Sequence, residues 1–227
     1  MSYAEITTLD PNPIKRWIQR RRLSSAADLY RPNKSPSAIC DYGAGNGELM
    51  KLLRPRFPAA QLVCYEPYLL GQASDNLATV PNIVFTALPP QHEMDAVFCL
   101  EVFEHLPMRQ TLEALAHIKA ILKPNGILII GVPVEVGLPA IYRGCFRMAR
   151  RYGTHDATFR NIGLAAIGKP PQNRPLADPP YHPFHMGFDF RRFRRLLGEH
   201  FRIIRQATSP FDLGTWLMPE VNFVAST

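Results

Sequence analysis

No apolar run in this 227-residue chain approaches the roughly 18 residues that a membrane-spanning helix requires, and the longest clean one, GILIIGVP, has strand length. The opening stretch MSYAEITTLDPNPIKRWIQRRR has neither the apolar core nor the small-residue cleavage site of a secretory signal. The expected location is therefore cytoplasmic, with contact at the periphery of a membrane left open. Cysteine is scarce, and its four positions (Cys40, Cys64, Cys99, Cys145) form no CxxC and no zinc spacing. They are expected to be buried thiols. No internal repeat is visible, and with 46% hydrophobic and 20% charged residues the composition excludes wholesale disorder.

What the chain has in excess is basic charge, and it is local. Residues 14–22 hold five basic and no acidic side chains, residues 141–174 seven and one, residues 189–205 six and two. Together these exceed the whole-chain net charge of +7, so the remainder is net acidic. Such segments suit an anionic membrane surface or the phosphates of a nucleic acid. Taken as a helix, 141–152 places Ile141, Cys145, Met148 and Tyr152 opposite Arg143, Arg147, Arg150 and Arg151. That pattern fits an interfacial helix or a lid with a solvated basic back.

The rest alternates short β-rich runs with helical patterns. Strands are expected at 37–42, 61–66, 82–87, 94–100 and 126–132, each nearly continuous in apolar residues, as in parallel strands covered on both faces. Helices are expected from Pro13 to about Tyr30, at 46–53 and 70–77, and most strongly over 107–124, where Leu112, Leu115, Ile118 and Leu122 recur at helical spacing. The link LPPQHE is too short for a helix. A helix at 189–200 and two last strands close the chain. The order is that of a doubly wound open sheet, read as one domain over 1–227 with a basic N-terminal helical extension (1–34) and a proline-rich lid or substrate insertion (133–188).

Between the first strand and helix stands DYGAGNGEL, with glycines at 43, 45 and 47. A dinucleotide fingerprint needs a further glycine at 48 or 50, where Glu48 and Met50 stand. The pattern is instead an acid, Asp41, followed by GxGxG. A carboxylate there repels a pyrophosphate and suits a cationic, nucleoside-like ligand. Glu66, ending the second strand, is placed to grip ribose hydroxyls.

These features, with MDAVFCLEVFEHL and ILKPNGILIIGVP, resemble the class I S-adenosylmethionine (SAM)-dependent methyltransferases, and EVFEHL resembles the small-molecule subgroup that includes enzymes of ubiquinone biosynthesis. The resemblance covers residues 37–133. It implies an α/β, doubly wound, Rossmann-like fold: a seven-stranded, mostly parallel sheet with helices on both faces and an antiparallel final strand. It implies SAM as cofactor, held by Asp41, Gly43, Ala44, Gly45, Asn46, Gly47, Glu66, Pro67, Ala87, Leu88, Leu100 and Glu101. The acid common in that family after the third strand is missing, and Ala87 and Leu88 leave adenine to backbone and apolar contacts.

If EVFEHL opens a helix, Glu101, Glu104 and His105 share a face and can hold a divalent metal such as Mg2+, as the ubiquinone-type enzymes do on a similar motif. Acid–base work and plain hydrogen bonding are the other roles open to them. His105 and, from the insertion, His185 are the acid–base candidates, with His155 and His182 further loop histidines. DPPY (178–181) resembles the base-gripping motif of nucleic-acid methyltransferases but lies outside that motif's place after the fourth strand. The expected activity is methyl transfer to a small, lipid-like or amphipathic acceptor. An RNA methyltransferase and a non-catalytic SAM-binding module are the alternatives. The oligomeric state is not legible.

Overall fold

The structure is a computed structural model that describes residues 13–68, 70–91, 93–178 and 180–227. Helix α1 (Pro13–Leu29) precedes β1 (Ala38–Tyr42), α2 (Glu48–Arg56), β2 (Gln61–Tyr65), α3 (Leu70–Asn76), β3 (Ile83–Thr86) and β4 (Met94–Leu100). Then come α4 (Met108–Ile121), β5 (Leu122–Pro133), α5 (Leu138–Arg151), α6 (Phe159–Ala166), α7 (Phe190–His200), β6 (Arg202–Ser209) and β7 (Glu220–Ser226). The seven strands form one sheet in the order β3-β2-β1-β4-β5-β7-β6. Only β7 is antiparallel to its neighbours, because it inserts between β5 and β6. This is the doubly wound architecture with an antiparallel final strand that the sequence implies.

Strand residues alternate between two cores, which is why the strands read as unbroken apolar runs. Cys40, Val97, Cys99, Leu128 and Ile130 pack with Leu115 and Ile118 of α4 and Phe193 and Leu197 of α7. Ile39, Ala96, Phe98 and Ile129 face the other way, against Ala26 and Ala27 of α1 and Leu49, Met50 and Leu53 of α2. Burying a side chain such as Leu53 or Ile118 contributes about 1.5–3 kcal/mol each. The N-terminal helix is thus part of the core on one flank.

Several local expectations change. Helix α4 ends at Ile121, three residues before Pro124-Asn125-Gly126, because Leu122 already pairs with Met94 before the register shifts. Asn125 takes the left-handed turn there at φ 63°. Leu112 points outward while Thr111, Ala114, Leu115 and Ile118 form the buried stripe. Cys145 is exposed on α5, unlike the other three thiols. Helix α6, started by Thr158 whose hydroxyl accepts from the Asn161 amide at 3.2 Å, lies within the 133–188 insertion.

Winding reverses between β1 and β4, so the loops after these two strands open side by side at the carboxyl edge. In such sheets this crevice is where ligands bind.

Candidate active site

The glycine turn fills one side of that crevice. Gly43, Gly45 and Gly47 all adopt left-handed backbone, at φ 80°, 56° and 78°. A Cβ at Gly43 would stand 2.6 Å from Val102 Cγ2 and one at Gly47 2.4 Å from Leu77 Cδ1, so space and dihedral both demand glycine. The Gly43 and Ala44 amides donate to the Tyr65 carbonyl at 2.9 and 3.0 Å, which pins the turn to the end of β2. Glu66 then accepts from the Gly45 amide at 2.7 Å and the Tyr68 amide at 2.9 Å, one on each oxygen.

The turn borders a cavity of about 90 Å3. Of the residues expected to hold cofactor, Asp41, Gly43, Ala44, Gly45, Asn46, Leu100 and Glu101 line it, whereas Gly47, Glu66, Pro67, Ala87 and Leu88 do not. Ala87 and Leu88 are exposed, with the Leu88 amide donating to the Thr86 hydroxyl at 3.1 Å. Sequence reading missed the roof: Gln19, Arg22 and Leu23 of α1, with Glu220 of β7. The volume falls below the roughly 300–1,000 Å3 of small-molecule sites, because α1 lies across the opening.

Electrostatically the cavity is a ring of carboxylates around one guanidinium. Arg22 bridges Glu101 and Glu220. Burial alone would raise the Glu101 carboxyl, but Arg22 holds it down at about 2. On the far side of the same guanidinium, Glu220 goes up to about 7, since burial and Glu101 outweigh Arg22. Asp41 is pushed up to about 8 by burial and then by Glu66. The Glu101 backbone is itself left-handed at φ 57°, a conformation that costs a non-glycine residue of order 1–3 kcal/mol.

EVFEHL does not open a helix. Residues 103–105 form a turn and α4 starts only at Met108. Glu101 is therefore turned to Arg22, and His185 comes in from the insertion: ligand atoms of Glu104, His105 and His185 lie within 4.8 Å of one another. The three metal candidates from sequence do not form that set, and His185 replaces Glu101 in it.

Hydrogen bonds fix the tautomers. Arg143 can only donate, and its Nη2 lies 3.4 Å from His185 Nδ1, so His185 carries its proton on Nε2. His105 Nδ1 donates to the His182 carbonyl at 2.7 Å, which leaves His105 Nε2 as acceptor from His185 Nε2 at 3.3 Å. Burial holds His185 neutral, at about 3. Both oxygens of the wholly buried Glu104 lack a hydrogen-bond partner among the described residues. Burial and then Glu101 raise its carboxyl well above the ordinary range. A site with two imidazoles and one carboxyl does not suit Mg2+, which takes oxygen ligands, and Arg143 opposes a lone pair on His185 Nε2.

Helix α5 covers this cluster, and the expected solvated basic back holds for only part of its arginines. Arg143 and Arg147 turn inward, while Arg150 stays exposed over the Phe146 ring. Wholly buried Glu135 takes Arg143 at 2.9 Å and Arg147 at 2.5 Å, and buried Asp156 takes Arg151 at 2.5 Å. Arg143 and Arg147 hold Glu135 at about 2 against the upward push of burial. The outer face of α5 shows Ile141, Tyr142, Cys145, Phe146 and Tyr152. Of the loop histidines, His182 packs on His105 through its amide and carbonyl, and His155 lies beside Phe184. DPPY includes Pro179, outside the described residues, and its Asp178 and Tyr181 are exposed.

Comparison with known proteins agrees with this architecture. Residues 14–165 match the family described as a methyltransferase domain. Trans-aconitate 2-methyltransferase of Methylobacterium nodulans is 27% identical over 157 residues, 65% of this chain and 57% of that protein. Human N-terminal Xaa-Pro-Lys N-methyltransferase 1 is 30% identical over 138 residues, 56% of this chain and 59% of that protein. The matches thus span little more than half the length of these relatives. In structure, the N-methyltransferase NodS of Bradyrhizobium japonicum WM9, solved with S-adenosyl-L-homocysteine, superposes with a TM-score of 0.60 at 15% identity, over 96% of this chain and 90% of that one. Magnesium protoporphyrin IX methyltransferase of Synechocystis PCC 6803 gives 0.60 at 16%, over 95% and 87%. With its glycine turn at the switch point of a sheet shared by SAM-dependent methyltransferases, the chain belongs to the methyltransferase-domain family.

Proposed function

We propose that the protein transfers a methyl group from SAM to a small amphipathic acceptor. The observation that carries the reading is the adjacency of two half-sites on one loop after β4: Glu101 lines the glycine-turn cavity, and Glu104 and His105, three and four residues on, meet His185 in the histidine cluster. When bound, SAM supplies a methyl already activated on a sulfonium, so the acceptor's lone pair forms the new bond while the bond to sulfur breaks.

What remains for the chain is to hold the partners in line, exclude water and handle one proton. Asp41 meets the cofactor's positive end and Glu66 its ribose. Helix α1 must yield to admit the nucleoside and then covers it. His105 Nε2 is the unprotonated ring nitrogen turned into the cluster, positioned to take a proton from an oxygen or nitrogen acceptor once His185 is displaced. Its Nδ1 proton stays on the His182 carbonyl. The exposed apolar face of α5 supports an amphipathic acceptor. It adjoins the 211–217 segment, since Tyr142 Oη donates to the Leu217 carbonyl at 2.9 Å and Leu213 and Trp216 there are exposed. An anionic membrane surface is the partner this face would approach.

The test is transfer of labelled methyl from SAM into a cell extract, split into organic-soluble, nucleic-acid and protein fractions. Label in the organic phase is expected. Label confined to RNA or protein would overturn the amphipathic acceptor, and SAM binding with no transfer to any fraction would leave a binding module.

A further inference from the structure

Away from the transfer site, α6, α7 and the loop joining α6 to the 170–175 segment enclose a cleft of about 1070 Å3. Six basic side chains line it: Arg160, Lys169, Arg191, Arg192, Arg194 and Arg195. The single carboxylate on its wall, Asp189, is consumed. It caps α7 by accepting from the Arg191 amide at 3.0 Å and takes the Arg191 guanidinium at 2.8 Å. Arg192 donates to the Gln172 side chain. The charged groups of Arg160, Lys169, Arg194 and Arg195 have no hydrogen bond or ion pair among the described residues.

That sets these four apart from the arginines of the transfer site. Arg22, Arg143 and Arg147 each neutralise a buried carboxylate. All four are exposed, and like charges gathered on the wall of one cleft repel. A multivalent anion reverses the sign of that term. The guanidinium fork matches phosphate oxygens two at a time.

We infer that this cleft is a second ligand site, for a compact polyanion carrying two or more phosphate groups. Its lining distinguishes that ligand from a larger one. A single-stranded nucleic acid would use aromatic stacking platforms, and no Phe, Tyr or Trp lines the cleft. The segment forming its wall continues to Arg174, which donates to the Glu104 and Phe184 carbonyls at 2.5 and 2.8 Å, and then to His182 and His185. An occupant of the cleft therefore touches the segment that builds the acceptor side of the transfer site.

The test is calorimetry of the full chain with inorganic tripolyphosphate, then with ATP and citrate, at 50 and 300 mM salt. One equivalent should bind, with affinity falling at least tenfold at the higher salt. The exposed double variant Arg194→Glu/Arg195→Glu, and separately Lys169→Glu, should lose at least tenfold in tripolyphosphate affinity while SAM affinity stays unchanged. Tighter ATP than tripolyphosphate would assign the phosphates to a nucleotide, and the converse to a free phosphate chain. Absence of binding, equal affinity for citrate, or unaltered binding in both variants would overturn the inference. So would capture of a uridine 20-mer or of phosphatidylglycerol vesicles through the same residues that tripolyphosphate does not displace.

Discussion

Asp41 offers the sharpest link between this structure and a cationic cofactor, through pH. In the ligand-free cavity burial and Glu66 place its carboxyl at about 8, so near pH 6 it is protonated. A positive group brought beside it favours the carboxylate and can draw the value down by roughly 1–3 units. The ligand-bound form therefore holds fewer protons than the free form, and affinity must rise with pH. If the bound value falls below 6, apparent affinity for SAM increases by about fiftyfold from pH 6 to pH 8, following the fraction of free protein already ionised. The ligand's own ammonium, titrating near 8, returns about a factor of two. The net expectation is about 25-fold, or roughly 1.9 kcal/mol at about 1.4 kcal/mol per decade. Calorimetry in buffers of different ionisation enthalpy measures both the affinity and the proton released. A change below twofold, or the same slope in Asp41→Asn, would refute the assignment of Asp41 to the cation.

Three further outcomes are expected. Glu66→Ala should weaken SAM binding more than tenfold, since charge-assisted hydrogen bonds to two hydroxyls contribute about 1.5–3 kcal/mol; unchanged affinity with an intact circular dichroism spectrum would remove Glu66 from the site. His105→Gln should lower kcat by about a hundredfold, the lower end of general-base effects, while SAM affinity measured by calorimetry stays within twofold. Addition of Mg2+ should leave the transfer rate within twofold, because the donor set is wrong for that ion; a tenfold gain would show otherwise.

The sheet was legible because both cores print themselves on each strand as unbroken apolar residues, and the turn was legible because glycine is the only residue whose absence of Cβ can be read directly. Position 43 shows the reason, with Val102 Cγ2 only 2.6 Å from where a Cβ would be. The roof of the cavity was not legible. Arg22 sits in a run of basic residues identical in letters to solvated ones, and only the fold brings it to Glu101 and Glu220, the latter 198 positions away. The same limit hid the orientation of α5. Helical spacing separates its arginines from its apolar residues but cannot say which set faces inward, because buried Glu135 and Asp156 outbid the usual preference for apolar burial. Likewise His185 joins His105 across 80 positions, a distance that no local period spans.

The charge balance of the site ties these features together. Asp41, Glu66, Glu104, Glu135 and Glu220 are all buried, and Glu101 nearly so, at 21% side-chain exposure. Arg143 and Arg147 answer Glu135, and Arg22 answers Glu101. Asp41 and Glu104 are left to resolve their burial by protonation, and Glu220 shares Arg22 with Glu101, which is what their raised values express. Removing a carboxylate from water costs several kcal/mol unless a positive partner is supplied, so this interior is poised to bind positive charge and to release protons when it does. A ligand whose charge is a sulfonium and an ammonium meets that requirement at the glycine turn, whereas the polyphosphate chemistry suited to the cleft beside α7 would be repelled there. Opposite charge in the two hollows of one chain thus keeps their ligands apart.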